Sequence, residues 1–300
     1  MLDYASLGAL AAVIREGSFE RAARALHVTP SAISQRIRLL EERVGCALVI
    51  RDQPCRATQT GRRLCQHVDQ VQLLEQDLQA TVPALALTAL GASRATVPVA
   101  VNADSLATWL APAIAAFGAA HPVLLHVAVD DQDHTAEWLR SGAVLAAVSA
   151  TARPASGCNS RPLGAMRYLA AASPAFLQRY FAHGVGAASL ALAPSLVFNI
   201  KDELQARWVR RLCHRHVDLP RHALPSPQAF VTAALAGMGW GLHPQALIQP
   251  CLDNGSLVEL LPDTPLDVPL YWHTARAASG LLDGLSGAIL AAARTGLLPP

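Results

Sequence analysis

Ser31, Ser34, Gln35, Arg38 and Glu42 recur at helical spacing and fall on one stripe of a helix. Most are hydrogen-bonding side chains of the kind that read base edges or bind phosphate. An ordinary solvated helix face carries similar residues, so the flanking segments decide the chemistry. A second group lies at the ends of three candidate strands: Asn102, Asp104 and Ser105, then Asp130 and Asp131, then Ser149. A helix opening at 103–106 offers free N–H groups to a carboxylate. Asp104, Asp130 and Asp131 offer negative charge to a cation. Together they suit an amino acid with a basic side chain, although Asn102 or Asp104 serving only as a helix cap is an equal reading.

Two other constellations carry less. Cys213, His214, His216 and His222 are metal-ligand types, but neighbours on a helix diverge by about 100 degrees and do not converge on one ion. Gly237-Met238-Gly239-Trp240-Gly241 lacks GxGxxG order and lies before a strand, which fits a sharp turn. No nucleophile elbow, HExxH or P-loop is found, so neither a metal nor a cofactor is expected, and no enzyme activity.

The elements that position the first stripe are short helices. Leu7, Leu10, Ala11 and Ile14 predict one helix, ended by Gly17. Ser18 caps a second, with Phe19, Ala22, Ala23 and Leu26 on its inner face. Thr29 caps the third and Pro30 sits at its first position, where a missing N–H costs nothing. Ile33, Ile37, Leu40 and Val44 line its buried side, and Gly45 stops it. Two short helices joined by a tight turn, the second with a polar face, read as a helix-turn-helix. Residues 47–50, a turn at Asp52-Gln53-Pro54, and Arg56-Ala57-Thr58 predict a β-wing with arginines at both ends. Thr58 or Thr60 caps a long helix from Gly61 to about Val82. Its apolar residues Leu64, Val68, Val71, Leu74 and Leu78 step by 4, 3, 3 and 4, a coiled-coil seam that predicts pairing with a second chain. Pro83 stops it, and residues 84–95 read as a hinge.

From residue 95 onward, β-branched runs alternate with helical patterns. Strands at 95–101, 123–129 and 144–149 with helices at 102–118 and 132–141 predict a parallel sheet. Further strands are expected at 168–172, 195–199, 222–224, 239–242 and 269–273. Helices are expected at 174–181, 201–214 and 226–236, from 244, and from about 280. Two α/β lobes joined by crossing segments near 162 and 268 leave a cleft between them, a favoured ligand site.

Bulk properties agree. The chain of 300 residues is 52% hydrophobic and 15% charged, enough to bury large cores. Ten arginines face six acids in residues 1–63, giving that segment +4 while the remainder is −2. Basic charge is thus concentrated where the helix-turn-helix lies. No apolar run reaches the roughly 18 residues a membrane helix needs. The start resembles no signal peptide, so a cytoplasmic location and no membrane partner are expected. The six cysteines show no CxxC pair.

Residues 19–23, the run Val28-Thr29-Pro30-Ser31-Ala32-Ile33-Ser34-Gln35-Arg36-Ile37, and Leu39-Leu40-Glu41 resemble the LysR-type transcriptional regulators. The wing and Thr58-x-x-Gly61 fit the same family. Residues 101–110, Ser173-Pro174-x-Phe176, Arg179-Tyr180-Phe181, Ala229-Phe230-Val231 and Leu270-Tyr271-Trp272-His273 resemble its ArgP/LysG branch. Pro30 and Gln228 depart from that branch, where Gln and Glu are common. The resemblance implies a winged helix-turn-helix (1–60), a dimerising linker helix and hinge (61–90), and a periplasmic-binding-protein-like α/β effector domain (91–300). Lobe I of that domain is 91–162 with 268–300, and lobe II is 163–267. It also implies tetramers on double-stranded promoter DNA, contact with RNA polymerase, and a lysine or arginine effector controlling basic amino-acid export or biosynthesis.

On this reading Ser31 and Gln35 meet bases, and Pro30 and Ala32 meet thymine methyls. Thr29, Ser34, Arg38, Arg51 and Arg56 meet phosphate. Asn102, Asp104, Ser105, Asp130, Asp131 and Ser149 are the effector candidates. Two alternatives remain open. One is the same DNA module with an aromatic-acid or redox effector. The more remote is a solute-binding protein or enzyme with an appended helical module.

Overall fold

A computed structural model describes residues 3–81, 96–121, 123–130, 138–139 and 142–300. It divides into two compact units, Met1–Val97 and Pro98–Pro300.

In the first unit each helix begins where a short polar side chain replaces a missing backbone partner. Asp3 accepts the Ala5 N–H (3.1 Å) and starts α1 (Tyr4–Glu16), which ends at Gly17 with φ 67°. Ser18 accepts the Arg21 N–H (3.2 Å) and starts α2 (Phe19–Ala25). Thr29 accepts the Ala32 N–H (3.2 Å) and starts α3 (Pro30–Val44), with Pro30 in the first turn and Gly45 closing it at φ 81°. Leu7, Leu10, Val13, Ala22, Ala23, Ile33, Ile37 and Leu40 form the buried core. The wing pairs β1 (Val49–Ile50) antiparallel with β2 (Arg56–Ala57). Thr58 then accepts the Gly61 N–H (3.1 Å) at the start of α4 (Gln59–Thr81).

The apolar seam of α4 divides. Val68 is buried and Leu64 packs on the same unit's core. Leu74 and Leu78, two turns further on, are 55% and 51% exposed. The heptad spacing therefore serves the unit's own core in its first half and leaves an open apolar edge in its second. The expected hinge at 84–95 lies outside the described residues.

In the second unit β3 (Thr96–Asn102) leads into a helical segment of three parts. These are Ala103–Ser105, a π-type turn Leu106–Leu110, and Ala111–Ala120. Next come β4 (Leu124–Asp130) and β5 (Ala146–Ser149), which runs parallel to β3 with Val99 opposite Ala146. The helix expected at 132–141 lies outside the described residues apart from 138 and 139.

The chain then crosses in β6 (Cys158–Ala172) and returns in β11 (Leu266–Ala275). Between them lie helices Pro174–Phe181, Ala187–Leu190, Leu204–Cys213, Pro227–Leu235 and Gln245–Asp253. Strands β7 (Ser195–Val197), β8 (Arg221–Ala223), β9 (Gly241–Pro244) and β10 (Val258–Glu259) complete this part. Helix Ser279–Gly296 packs back on 111–120.

The main sheet has the order β10-β6-β11-β5-β3-β4, with β9 also on β6. It is mixed: β3 and β5 run parallel, as expected for 95–101 and 144–149, while β11 runs antiparallel to both β5 and β6. An outgoing and a returning segment lying side by side must oppose each other. Only 168–172 of β6 reads as a strand in the sequence, because Arg161, Pro162 and Gly164 interrupt its first half. The ladder shifts register between Leu270 and Tyr271, opposite Gly164 (φ 128°). There Leu298 exchanges both backbone hydrogen bonds with Ala165 (2.9 and 3.0 Å). A Cβ on Gly164 would lie 2.2 Å from the Leu298 carbonyl oxygen.

Gly61 faces a similar obstacle, since a Cβ there would lie 2.2 Å from the Leu48 carbonyl oxygen. Backbone on both sides leaves little room to yield. Gly61→Ala is therefore expected to destabilise the first unit by about 1–3 kcal/mol, the usual cost of overpacking. Urea unfolding followed by circular dichroism on the full chain reads this, and a midpoint equal to wild type contradicts it.

Candidate functional site

The polar face of α3 is open. Thr29, Pro30, Ser31, Gln35 and Arg38 are exposed, while Ala32 and Ser34 are half-buried beside them. The opposite face holds Ile33, Ile37 and Leu40 in the core, so the helix cannot roll these polar residues inward. The Thr29 and Ser31 hydroxyls lie 3.0 Å apart. Arg38 pairs with Glu42 at 3.0 Å on the exposed surface, a contact of low energy that a phosphate can replace.

The wing is anchored by a residue that sequence reasoning missed. Glu41 accepts the backbone N–H of Leu48 (2.8 Å) and of Val49 (3.3 Å), tying α3 to β1. A lone Glu in a helix that already carries Glu42 gives no sign of this, because its partners are backbone groups seven and eight residues away. Thr58 donates to the Ala47 carbonyl (2.9 Å) from the other strand. Arg51 extends over the Phe19 ring, 5.1 Å from its centre, and Arg56 pairs with Asp52. Ser31, Gln35, Arg38 and the wing arginines thus belong to one buttressed unit of helix and ribbon.

In the second unit a cleft opens between the two lobes, with about 490 Å³ of empty space that includes its solvent-open mouth. Asn102, Ala103 and Asp104 form one wall, at the carboxyl end of β3. Phe198, Asp202, Phe230 and His243 face them from the other lobe. Asp104 accepts the hydroxyl of buried Tyr168 at 2.7 Å, and its carbonyl accepts Thr108 Oγ1 at 2.7 Å across the π-type turn. Asp202 is 6% exposed and accepts two backbone N–H groups, Phe198 at 2.8 Å and Leu204 at 3.0 Å. Burial disfavours the imidazolium of His243 and lowers its pKa to about 4, so the ring is neutral at pH 7.

Of the six effector candidates, Asn102 and Asp104 line this cleft. Ser105 and Ser149 are fully buried and do not line it; Ser149 Oγ instead accepts the Thr151 N–H at 3.1 Å. Asp130 ends β4, the last strand of the sheet order. Asp131 lies outside the described residues. Asp202 was not among the candidates, since it falls inside the helix expected at 201–214. The helix instead starts at Leu204, whose N–H Asp202 accepts, and Asp202 faces the cleft as well.

Residues 4–62 match the family model "Bacterial regulatory helix-turn-helix protein, lysR family", and residues 91–294 match "LysR substrate binding domain". The chain is 49% identical to the HTH-type transcriptional regulator ArgP of Pseudomonas fluorescens over 94% of its length and 93% of that protein. Among solved structures it resembles ArgP from Mycobacterium tuberculosis, with 43% identity, TM-score 0.80 and all of both chains covered. It also resembles full-length LysG from Corynebacterium glutamicum with bound effector arginine, with 35% identity and TM-score 0.68 over 99% of this chain and 100% of that one.

Two outcomes follow from the geometry. Arg51→Ala is expected to weaken binding to any duplex similarly and to reduce the salt slope by about one unit for each phosphate the side chain no longer reaches. A titration from low to high salt checks it, and an unchanged slope removes Arg51 from the interface. The second outcome concerns His243, whose pKa in the folded protein is about 4 against an ordinary value of 6.5. Below pH 6.5 the unfolded chain takes up the proton first. The stability contribution is therefore full above pH 6.5 and falls by ~3 kcal/mol as pH drops towards 4. Urea unfolding at pH 7.5 and 5 should show a smaller loss for His243→Gln than for wild type; equal losses refute the assignment.

Proposed function

The chain belongs to the LysR family of bacterial transcriptional regulators, and on that premise we propose that it grips promoter DNA through α3 and the wing and responds to lysine or arginine held in the cleft. The carrying observation is the placement of Asp104 and Asp202 on opposite walls of one cavity. A cationic side chain entering it meets carboxylate from both lobes, so binding favours their closure. The likeness to arginine-bound LysG supports the same class of effector.

The open apolar edge at Leu74 and Leu78 supports pairing of α4 with a second copy, hence a homo-oligomer on DNA. RNA polymerase is the protein that such a regulator meets at a promoter. Control of basic amino-acid export or biosynthesis fits this effector. A redox effector is disfavoured at two cysteines, since burial pushes the Cys65 thiol up to about 12 and raises that of Cys158.

Asp104→Asn retains a hydrogen-bonding shape for Tyr168 but removes the charge. It is expected to weaken lysine and arginine about 10–100-fold, the worth of one charge-assisted contact. Calorimetry on the purified full chain reads this, paired with a mobility shift of the protein's own upstream DNA with and without each amino acid. Wild-type affinity in the variant excludes Asp104 from the site. A shift that neither amino acid alters, in extent or mobility, sinks the effector assignment while leaving the DNA assignment intact.

A further inference from the structure

The cleft is built for two positive charges, and its described walls offer a carboxylate neutral donors but no opposite charge. Asp104 and Asp202 approach from opposite lobes. Both are held by donors from the protein: Tyr168 Oη on Asp104, and the Phe198 and Leu204 N–H groups on Asp202. Two N–H groups on one carboxyl group is the pattern an anionic, acceptor-only carboxylate takes. The same cleft is lined by His243, fully buried, whose ring lies near the Ala171 backbone but makes no well-formed hydrogen bond among the described residues. A neutral imidazole keeps one lone pair and so accepts an N–H from a cation. Phe198, Leu204, Pro227, Phe230 and Leu242 supply the apolar wall that a methylene chain needs, and an aromatic face also attracts a cation.

No arginine or lysine lines the cavity among the described residues. A ligand carboxylate finds neutral donors alone among the described residues, the Asn102 amide, the His243 N–H and the backbone N–H groups where the helical segment begins at Ala103, and Asp104 in that same turn repels a second anion. Lysine and arginine each bring two cationic groups and one anionic group. Two wall carboxylates complement the cations by charge, whereas among the described residues the anion meets no opposite charge.

Resting on the assignment of basic amino-acid effectors, we propose that the cleft recognises a dication and that the ligand carboxylate is dispensable. Aliphatic diamines and guanidinoalkylamines are then ligands of the same site. The protein reads the products of decarboxylating basic amino acids as well as the amino acids themselves.

Calorimetry with the full chain tests this using four probes: lysine, 1,5-diaminopentane, (4-aminobutyl)guanidine and n-pentylamine. The two dications without carboxylate are expected to bind within about tenfold of lysine, and the monocation at least tenfold weaker, one charge-assisted contact being worth that much. Asp202→Asn is expected to weaken lysine and 1,5-diaminopentane alike, with thermal unfolding confirming that the variant is folded. Asp104→Asn repeats the test on the opposite wall, where the carboxyl group accepts a side-chain hydroxyl.

Lysine binding without diamine binding overturns the proposal, because the carboxylate is then a required handle, while the amino-acid assignment survives. Diamine binding unchanged in both variants also overturns it, since the site then lies elsewhere. If neither lysine nor diamine binds while duplex DNA is still bound, the effector assignment fails and takes the proposal with it.

Discussion

The backbone ladder between β6 and β11 pairs residues from Leu266 opposite Tyr168 to Ala275 opposite Cys158. Both strands pass from one lobe to the other, so these hydrogen bonds hold the lobes as one body and leave the cleft between them. The ladder also sets side-chain direction, since adjacent residues of a strand point to opposite faces. In the observed register Tyr168 reaches Asp104. A slip of one residue would turn that hydroxyl to the other side of the sheet and leave Asp104 without it. The flanking Arg167–Asp267 pair, joined by two hydrogen bonds of 2.8 Å, is cross-strand support for the same register. Leu298, pairing with Ala165 beside Gly164, reinforces the ladder where its register shifts.

The DNA-facing unit reaches rigidity by shorter means. Its helices are each started by a side-chain oxygen and, for α1 and α3, stopped by a glycine in the left-handed region. The wing has only two residues per strand and cannot be stable alone. It depends on Glu41 and Thr58, which hold it from opposite sides through backbone groups. The exposed polar face of α3 and its wing are therefore assembled from weak local preferences that agree with one another.

That agreement is why the first unit was legible in the sequence. Ser18, Thr29, Pro30 and Gly45 are punctuation whose meaning is local, and α3 begins and ends where they stand. The second unit was legible only in part. Helix Pro174–Phe181 follows from Pro174 and its apolar spacing. The antiparallel return of β11 does not, because strand direction is settled by partners about a hundred residues away. The site shows the same division. Asp104 could be marked because it follows a strand, a place where α/β sheets bind ligands. Ser149 satisfies the same rule yet turns inward, and Asp202 is hidden in a stretch that reads as helix from 201 but folds as one only from Leu204. Local pattern identifies where a side chain sits along an element but not what the opposite lobe presents to it.

The close approach of Gly61 to the Leu48 carbonyl joins two parts usually considered separately. With Thr58 bonded to Leu48 and Ala47, the wing and the root of α4 behave as one lever with no joint between them. In a pair of chains joined through α4, the splay of the two helices would then dictate how far apart the two wings grip the duplex. Half-site separation would then be a geometric property of the helix pair, so an altered crossing angle would change which operator spacing is accepted while every residue on the polar face of α3 stays the same.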